Sequence, residues 1–298
     1  MKKILIIMVL FLVTACSKTS IIESYPKLEQ KLSNNEPSLE NMKIAEAGNM
    51  NKEYDNFILD YSNTNLGYIM VKSLSADHAK YKVGISNGED TLYYDVNVDE
   101  QYISYPLSFS SGYYNIKLYE NIEGTNYAIF GSIDFEVVLD DELLPFLYPN
   151  IISNYTSDSE AVKAAFELVE GSENDLERVF KVYDWVIDNV NYDYDKLEKA
   201  RESFLIPDID LTYTSKKGIC FDYASLMCAM LRPLNIPTKL VTGYVDLGYH
   251  AWIEVYIEDI GWIDPQIYFE SEKWTRMDPT FDAQGSYYTG EYEAIKNY

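Results

Sequence analysis

The spacing of apolar residues changes period partway along this chain, and that change limits what it can fold into. From Tyr54 to about Leu139, apolar and polar residues alternate in short runs such as Tyr68-Ile69-Met70-Val71, Tyr81-Lys82-Val83-Gly84-Ile85 and Tyr114-Asn115-Ile116-Lys117-Leu118-Tyr119. Alternation puts every second side chain on one face, so each run reads as a half-buried strand. Asn87-Gly88, Ser110-Ser111-Gly112 and Gly124-Thr125 supply turns between the runs. About seven strands in roughly 90 residues predict a small all-β sandwich of immunoglobulin-like type, here without the cysteine pair and buried tryptophan of antibody domains.

After Pro145 and Pro149 the spacing becomes helical. Ser157 and Glu160 have capping-box spacing ahead of Val162, Ala165, Phe166 and Val169, and Gly171 follows. Asn174 and Glu177 precede a second stripe, Leu176, Val179, Phe180, Tyr183, Val186, Ile187 and Val190, closed by the polar, aromatic Asn191–Asp195. A third helix is expected from Gly218-Ile219-Cys220 through Met230, stopped by Pro233, with strands from Lys239 onward. The predicted fold class is therefore α+β, with a β-sandwich over residues 52–145 and a second, α+β domain over residues 146–298.

The chain opens with Lys2-Lys3 and an apolar run from Ile4 to Val13, too short for the roughly 20 residues that cross a bilayer. Residues 1–15 thus read as a secretory signal. Val13-Thr14-Ala15-Cys16 is similar to the lipobox of bacterial lipoproteins, which implies lipid attachment at Cys16 and an extracytoplasmic, membrane-anchored protein. Residues 16–51 lack sustained apolar periodicity and are expected to be a tether. Acidity narrows the partners further: 24 Lys and Arg stand against 48 Asp and Glu, a formal charge of −24. Such a surface repels phosphate backbones, so no nucleic-acid partner is expected.

Thiol and imidazole chemistry must fall on three cysteines and two histidines, too few for a zinc cluster or a disulfide scaffold. Cys220 opens the third predicted helix, where unpaired N–H groups and the helix dipole favour an anion. Cys228 lies eight residues on, flanked by Met227, Ala229 and Met230, and reads as an inert core residue. His78 sits in a polar stretch and reads as a loop residue, which leaves His250, at the start of the alternating run Tyr249–Tyr256, to act beside the thiol. A carboxylate should orient the imidazole, and two Asp-Pro pairs compete, Asp264-Pro265 and Asp278-Pro279. A hairpin turning at Asp264-Pro265-Gln266 would set His250 opposite Asp278 and Trp252 opposite Arg276. A turn at Glu258-to-Gly261 would instead set Asp264 opposite Val255, five residues and roughly 17 Å from His250, so both turns favour Asp278.

Together Lys217-Gly218-Ile219-Cys220-Phe221-Asp222-Tyr223-Ala224, Arg232, Ile236-Pro237-Thr238-Lys239, Gly243-Tyr244, His250-Ala251-Trp252 and Trp274-Thr275-Arg276-Met277-Asp278-Pro279-Thr280 resemble the transglutaminase-like superfamily of cysteine peptidases and acyltransferases. The resemblance implies a papain-like α+β domain and a catalytic triad of Cys220, His250 and Asp278. It implies attack on amide bonds of a protein or peptide substrate, cell-wall peptides among them, with no cofactor and no metal. Hydrolysis ranks ahead of protein cross-linking, and an idle adhesion or scaffold module is the non-catalytic alternative. Trp252 and Trp262 are the candidate substrate contacts, Trp262 as part of an insertion between His250 and Asp278.

Overall fold

The computed structural model describes residues 37–75, 79–245, 248–263 and 292–298. Cys16, His78, Asp264 and Asp278 lie outside these described residues, as do the signal and most of the expected tether.

The first part is built from β1 (Asn51–Tyr54), β2 (Phe57–Asp60), β3 (Tyr68–Ser73), β4 (Tyr81–Ser86), β5 (Thr91–Asp95), β6 (Tyr102–Pro106), β7 (Gly112–Glu123) and β8 (Asn126–Val137). They form two antiparallel four-stranded sheets, ordered β1-β2-β3-β6 and β5-β4-β7-β8. Period-two patterning decides which side chains meet between them. Tyr114, Ile116 and Leu118 of β7 are buried at alternate positions. Across the gap, Phe57 of β2 meets Tyr81 of β4 edge-on at 4.7 Å, and Tyr94 of β5 meets Tyr105 of β6 at 5.7 Å. Edge-to-face rings at these separations add to the gain from their burial. Strand β1, with no buried residue, carries none of the apolar signal by which the others are read.

Residues 37–50, at the end of the segment expected to be a tether, lie along the folded body. Met42 is buried, Lys43 Nζ donates to Asn235 Oδ1 at 3.0 Å, and the Gly48 N–H donates to the buried Asp60 carboxylate at 3.1 Å.

The second part contains α1 (Glu160–Leu168), α2 (Asp175–Asn189), β9 (Asn191–Tyr192), α3 (Tyr194–Glu202), α4 (Ile209–Ser215), β10 (Lys217–Gly218) and α5 (Cys220–Leu231). After these come β11 (Thr238–Val245), β12 (Gly248–Ile257), β13 (Gly261–Ile263) and β14 (Tyr292–Asn297), an antiparallel sheet ordered β13-β12-β11-β14. Helix α2 starts as its sequence predicts, with Asn174 Oδ1 accepting the Glu177 N–H at 2.9 Å. Helix α1 does not use Ser157. It begins after Ser159, and Asp210 from α4 accepts the Glu160 N–H at 3.0 Å. Helices α3 and α4 were not expected. Helix α3 buries no side chain and α4 has 7 residues, so neither carries a long apolar stripe. Their legible signals are the N-caps Asp193 and Asp208, each accepting a backbone N–H at 2.9 Å.

Helix α5 is largely apolar because it is surrounded: every residue from Asp222 to Leu231 is buried. Helices α1, α2 and α4 and strands β11 and β12 pack on it. The connecting segment ties it to the sandwich. Ser104 of β6 donates to the Pro149 carbonyl and accepts, through its own carbonyl, the Ile151 N–H at 2.9 Å. Next along, Ser225 Oγ donates to the Ile152 carbonyl at 2.6 Å, and Ser153 Oγ donates to the Ser225 carbonyl at 3.0 Å. Arg232, 1% exposed, completes the junction by donating to three backbone carbonyls: Thr238 at 3.0 Å, Tyr148 at 2.9 Å and Tyr298 at 2.8 Å.

Candidate active site

Cys220 is the first residue of α5, as its sequence context predicts, and it and Phe221 are part-exposed where Asp222–Leu231 are buried. The turn that presents it is tightly held. The parallel pair β9–β10 sets Tyr192 beside Gly218. The Ile219 N–H then donates to Asp222 Oδ2 at 2.9 Å, closing the first turn around the thiol. A Cβ on Gly218 would lie 2.6 Å from the Asp222 Cβ, so no larger residue fits there without displacing that carboxylate. On the outer side, Phe221 meets Phe204 with ring centres 5.5 Å apart.

Strand β12 brings in the histidine. His250 is 7% exposed and pairs with Gly243 of β11. Its ring lies parallel to Trp252, two residues on and on the same face, at 6.5 Å. Trp252 is 1% exposed and packs against the imidazole. Gly243 lets the β14 backbone and the Trp252 ring approach: a Cβ there would sit 1.9 Å from the Glu293 carbonyl oxygen and 2.9 Å from the Trp252 ring. Ala251, Ile253 and Val255 face the other way, into the core.

The starts of α5 and β12 come to one end of the helix–sheet layer. Tyr249, the residue before His250, has its hydroxyl pushed up by burial and, in smaller part, by the charges of Tyr244 and Cys220. Tyr192 is raised to about 12, first by burial and then by the charge of Cys220. Two tyrosine hydroxyls from different strands thus lie within electrostatic reach of the thiol. Spacing alone does not mark either one, since 28 tyrosines are scattered along the chain.

Other expected residues fall elsewhere. Cys228 is fully buried and its thiol is pushed up to about 11 by burial, in keeping with an inert core role. Trp262 lies on β13 opposite Tyr256, six residues and roughly 20 Å along β12 from His250. It packs on Phe146 at 5.2 Å and Tyr256 at 5.6 Å, under Lys239 Nζ at 3.7 Å, and so belongs to a structural cation–π cluster.

Of the two hairpin turns that the sequence offers, the described residues form the second. The β12–β13 turn is Glu258–Ile260, with Val255 opposite Ile263 and Ile257 opposite Gly261. Asp259 and Gly261 adopt positive φ there, the left-handed geometry of a tight turn. With this turn the case for Asp278 rests on the motif around it and on the sequence argument against Asp264.

Residues 162–279 match the family profile of the transglutaminase-like superfamily, a stretch that contains Cys220, His250 and Asp278. The chain is similar to UPF0252 protein MJ1282 of Methanocaldococcus jannaschii, with 31% identity over 137 residues, 41% of this chain and 38% of that protein. It is also similar to the kyphoscoliosis peptidase of Mus musculus, with 32% identity over 105 residues, 31% of this chain and 15% of the peptidase. The alignments thus span well under half of either relative. Among solved structures, a protein from Cytophaga hutchinsonii proposed to be a cysteine protease aligns with TM-score 0.36 and 18% identity over 78% of this chain and 91% of its own.

Proposed function

Because residues 162–279 match the profile of the transglutaminase-like superfamily, we propose that this chain is a cysteine enzyme acting on amide bonds of protein or peptide substrates. The observation that carries this reading is the placement of a part-exposed Cys220 at the first turn of a buried helix, with the His250 strand at the same end. A helix start favours a thiolate, and a neighbouring imidazole can move a proton. In the proposed reaction, His250 takes the Cys220 thiol proton, the sulfur attacks the amide carbonyl carbon and the C–N bond breaks. The amine leaves with a proton from His250, and a thioester remains on Cys220. Asp278 is assigned to orient His250, on the strength of the Trp274–Thr280 motif.

Hydrolysis is the preferred outcome, water resolving the thioester, with transamidation as the alternative. The name of the kyphoscoliosis peptidase fits the first. We further propose that a lipid on Cys16 holds the enzyme at the outer face of the cell membrane, within reach of surface proteins and cell-wall peptides. Incubating wild type and Cys220→Ala with casein and a fluorescent primary amine separates the reactions. New amino termini that depend on Cys220 support a peptidase. Amine incorporation that depends on Cys220 overturns that preference, and equal activity in both proteins overturns the enzyme reading.

A further inference from the structure

We infer that Lys196 and Asp222 form a charge-compensated pair that sets the start of α5, with Lys196 a positioning residue acting on Cys220 through the Asp222 carboxylate. This rests on the reading of Cys220 as the nucleophile. Asp222 is 2% exposed and its two oxygens are divided between two tasks. Oδ2 accepts the Ile219 N–H at 2.9 Å and so fixes the backbone on either side of the thiol, while Oδ1 accepts from Lys196 Nζ at 2.7 Å. The first task requires an acceptor at this position, but a carboxylate two residues from the thiol opposes an anion there. The ammonium of Lys196 cancels that opposition.

The backbone shows how the ammonium is delivered. Helix α3 buries no side chain, so apolar packing does not fix it. Its entry is instead bonded to the segment leading into Cys220. The Asn191 N–H donates to Lys216 O at 2.8 Å, and the Asp193 N–H donates to Gly218 O at 2.9 Å. Asp193 then caps α3 by accepting the Lys196 N–H at 2.9 Å. One short stretch, residues 191–196, therefore registers Lys196 against residues 216–222. Among the described residues, other titratable or charged groups near the thiol include Tyr192 of β9, with Tyr194 and Arg201 of α3 acting on it, Lys216 and Lys217 in the segment before Cys220, and Tyr249 and His250 of β12. None of these is a carboxylate partner for Lys196.

The test is the pH dependence of Cys220 alkylation by iodoacetamide, mapped by mass spectrometry on the full chain. Wild type is compared with Lys196→Met, Asp222→Asn and the double variant, with thermal unfolding recorded for each. Lys196→Met leaves the carboxylate uncompensated, and the midpoint should rise by roughly one pH unit, about tenfold slower labelling below it. Asp222→Asn keeps an oxygen for the Ile219 N–H and leaves the ammonium unopposed, so its midpoint should fall. The double variant should return close to wild type. Shifts of the same sign in both single variants, or no shift in folded protein, overturn the inference and leave a purely structural pair. Should Lys196→Met not fold, the difference between Asp222→Asn and the double variant decides the same question. The reading of Cys220 as nucleophile fails separately, if wild-type labelling at pH 6 is no faster than that of N-acetylcysteine.

Discussion

Replacing Arg232 by methionine should unfold the junction between the two halves of this protein more readily than any surface change. The side chain is 1% exposed and its donors serve three backbone carbonyls on three different segments: Thr238 entering β11, Tyr148 in the connection, and Tyr298 after β14. Methionine keeps most of the stem volume and removes every donor. A hydrogen bond to a charged group contributes about 1.5–3 kcal/mol net, and a buried carbonyl left without a partner costs about 1–3 kcal/mol. Removing the cation also removes its own desolvation penalty, which offsets part of that sum. The expected net loss is about 3–5 kcal/mol, a large share of the 5–15 kcal/mol typical of a folded domain. Urea unfolding followed by tryptophan fluorescence measures it directly. Lysine at 232 has one donor group and cannot span three carbonyls, so it should recover less than half of the loss. A methionine variant within about 1 kcal/mol of wild type would refute the role assigned to these three bonds.

Other substitutions test the site and its surroundings. Gly243→Ala drives a methyl group against the Glu293 carbonyl and the Trp252 ring. It should cut amide turnover at least tenfold and lower stability by about 1–3 kcal/mol, read from kcat/KM and urea midpoints. Trp262→Ala removes the aromatic partner of Lys239, Phe146 and Tyr256 far from His250. It should lower stability by about 3 kcal/mol while leaving kcat/KM within twofold. Cys228→Ala should also leave turnover unchanged, and it isolates a pH effect. Burial raises this thiol to about 11, above its unfolded value of roughly 8.5. The stability this contributes is present below pH 8.5 and is lost as pH rises through about 11, so the alanine variant should show a shallower alkaline decline. Buried Tyr105, Tyr155 and Tyr223 are raised in the same sense by burial, so both proteins should still lose stability above about pH 10.

Much of the architecture was legible because period and burial agree. Tyr114, Ile116 and Leu118 alternate in the sequence and are buried alternately in β7, and Asn174 caps α2 where the apolar stripe begins. Cys220 at the head of α5 was readable for the same reason, since Gly218-Ile219 precedes a largely apolar run that Pro233 stops. What the sequence concealed depends on contacts rather than spacing. Helix α3 has no apolar face to announce it, and its Lys196 finds Asp222 across 26 positions of sequence. The sequence left two turns open after β12, and the one that forms relies on Asp259 and Gly261 in left-handed conformations.

The reactivity of Cys220 at pH 6 tests the central claim most directly. Cys228 is a poor reference because it is fully buried, so the comparison belongs with a free small thiol. Native protein and N-acetylcysteine are treated with dilute iodoacetamide at pH 6, and Cys220 labelling is followed by peptide mapping. A thiol serving as nucleophile at the start of α5 should label at least tenfold faster than N-acetylcysteine, and His250→Ala should slow it. Labelling equal to or slower than the free thiol, in folded protein, would contradict the account.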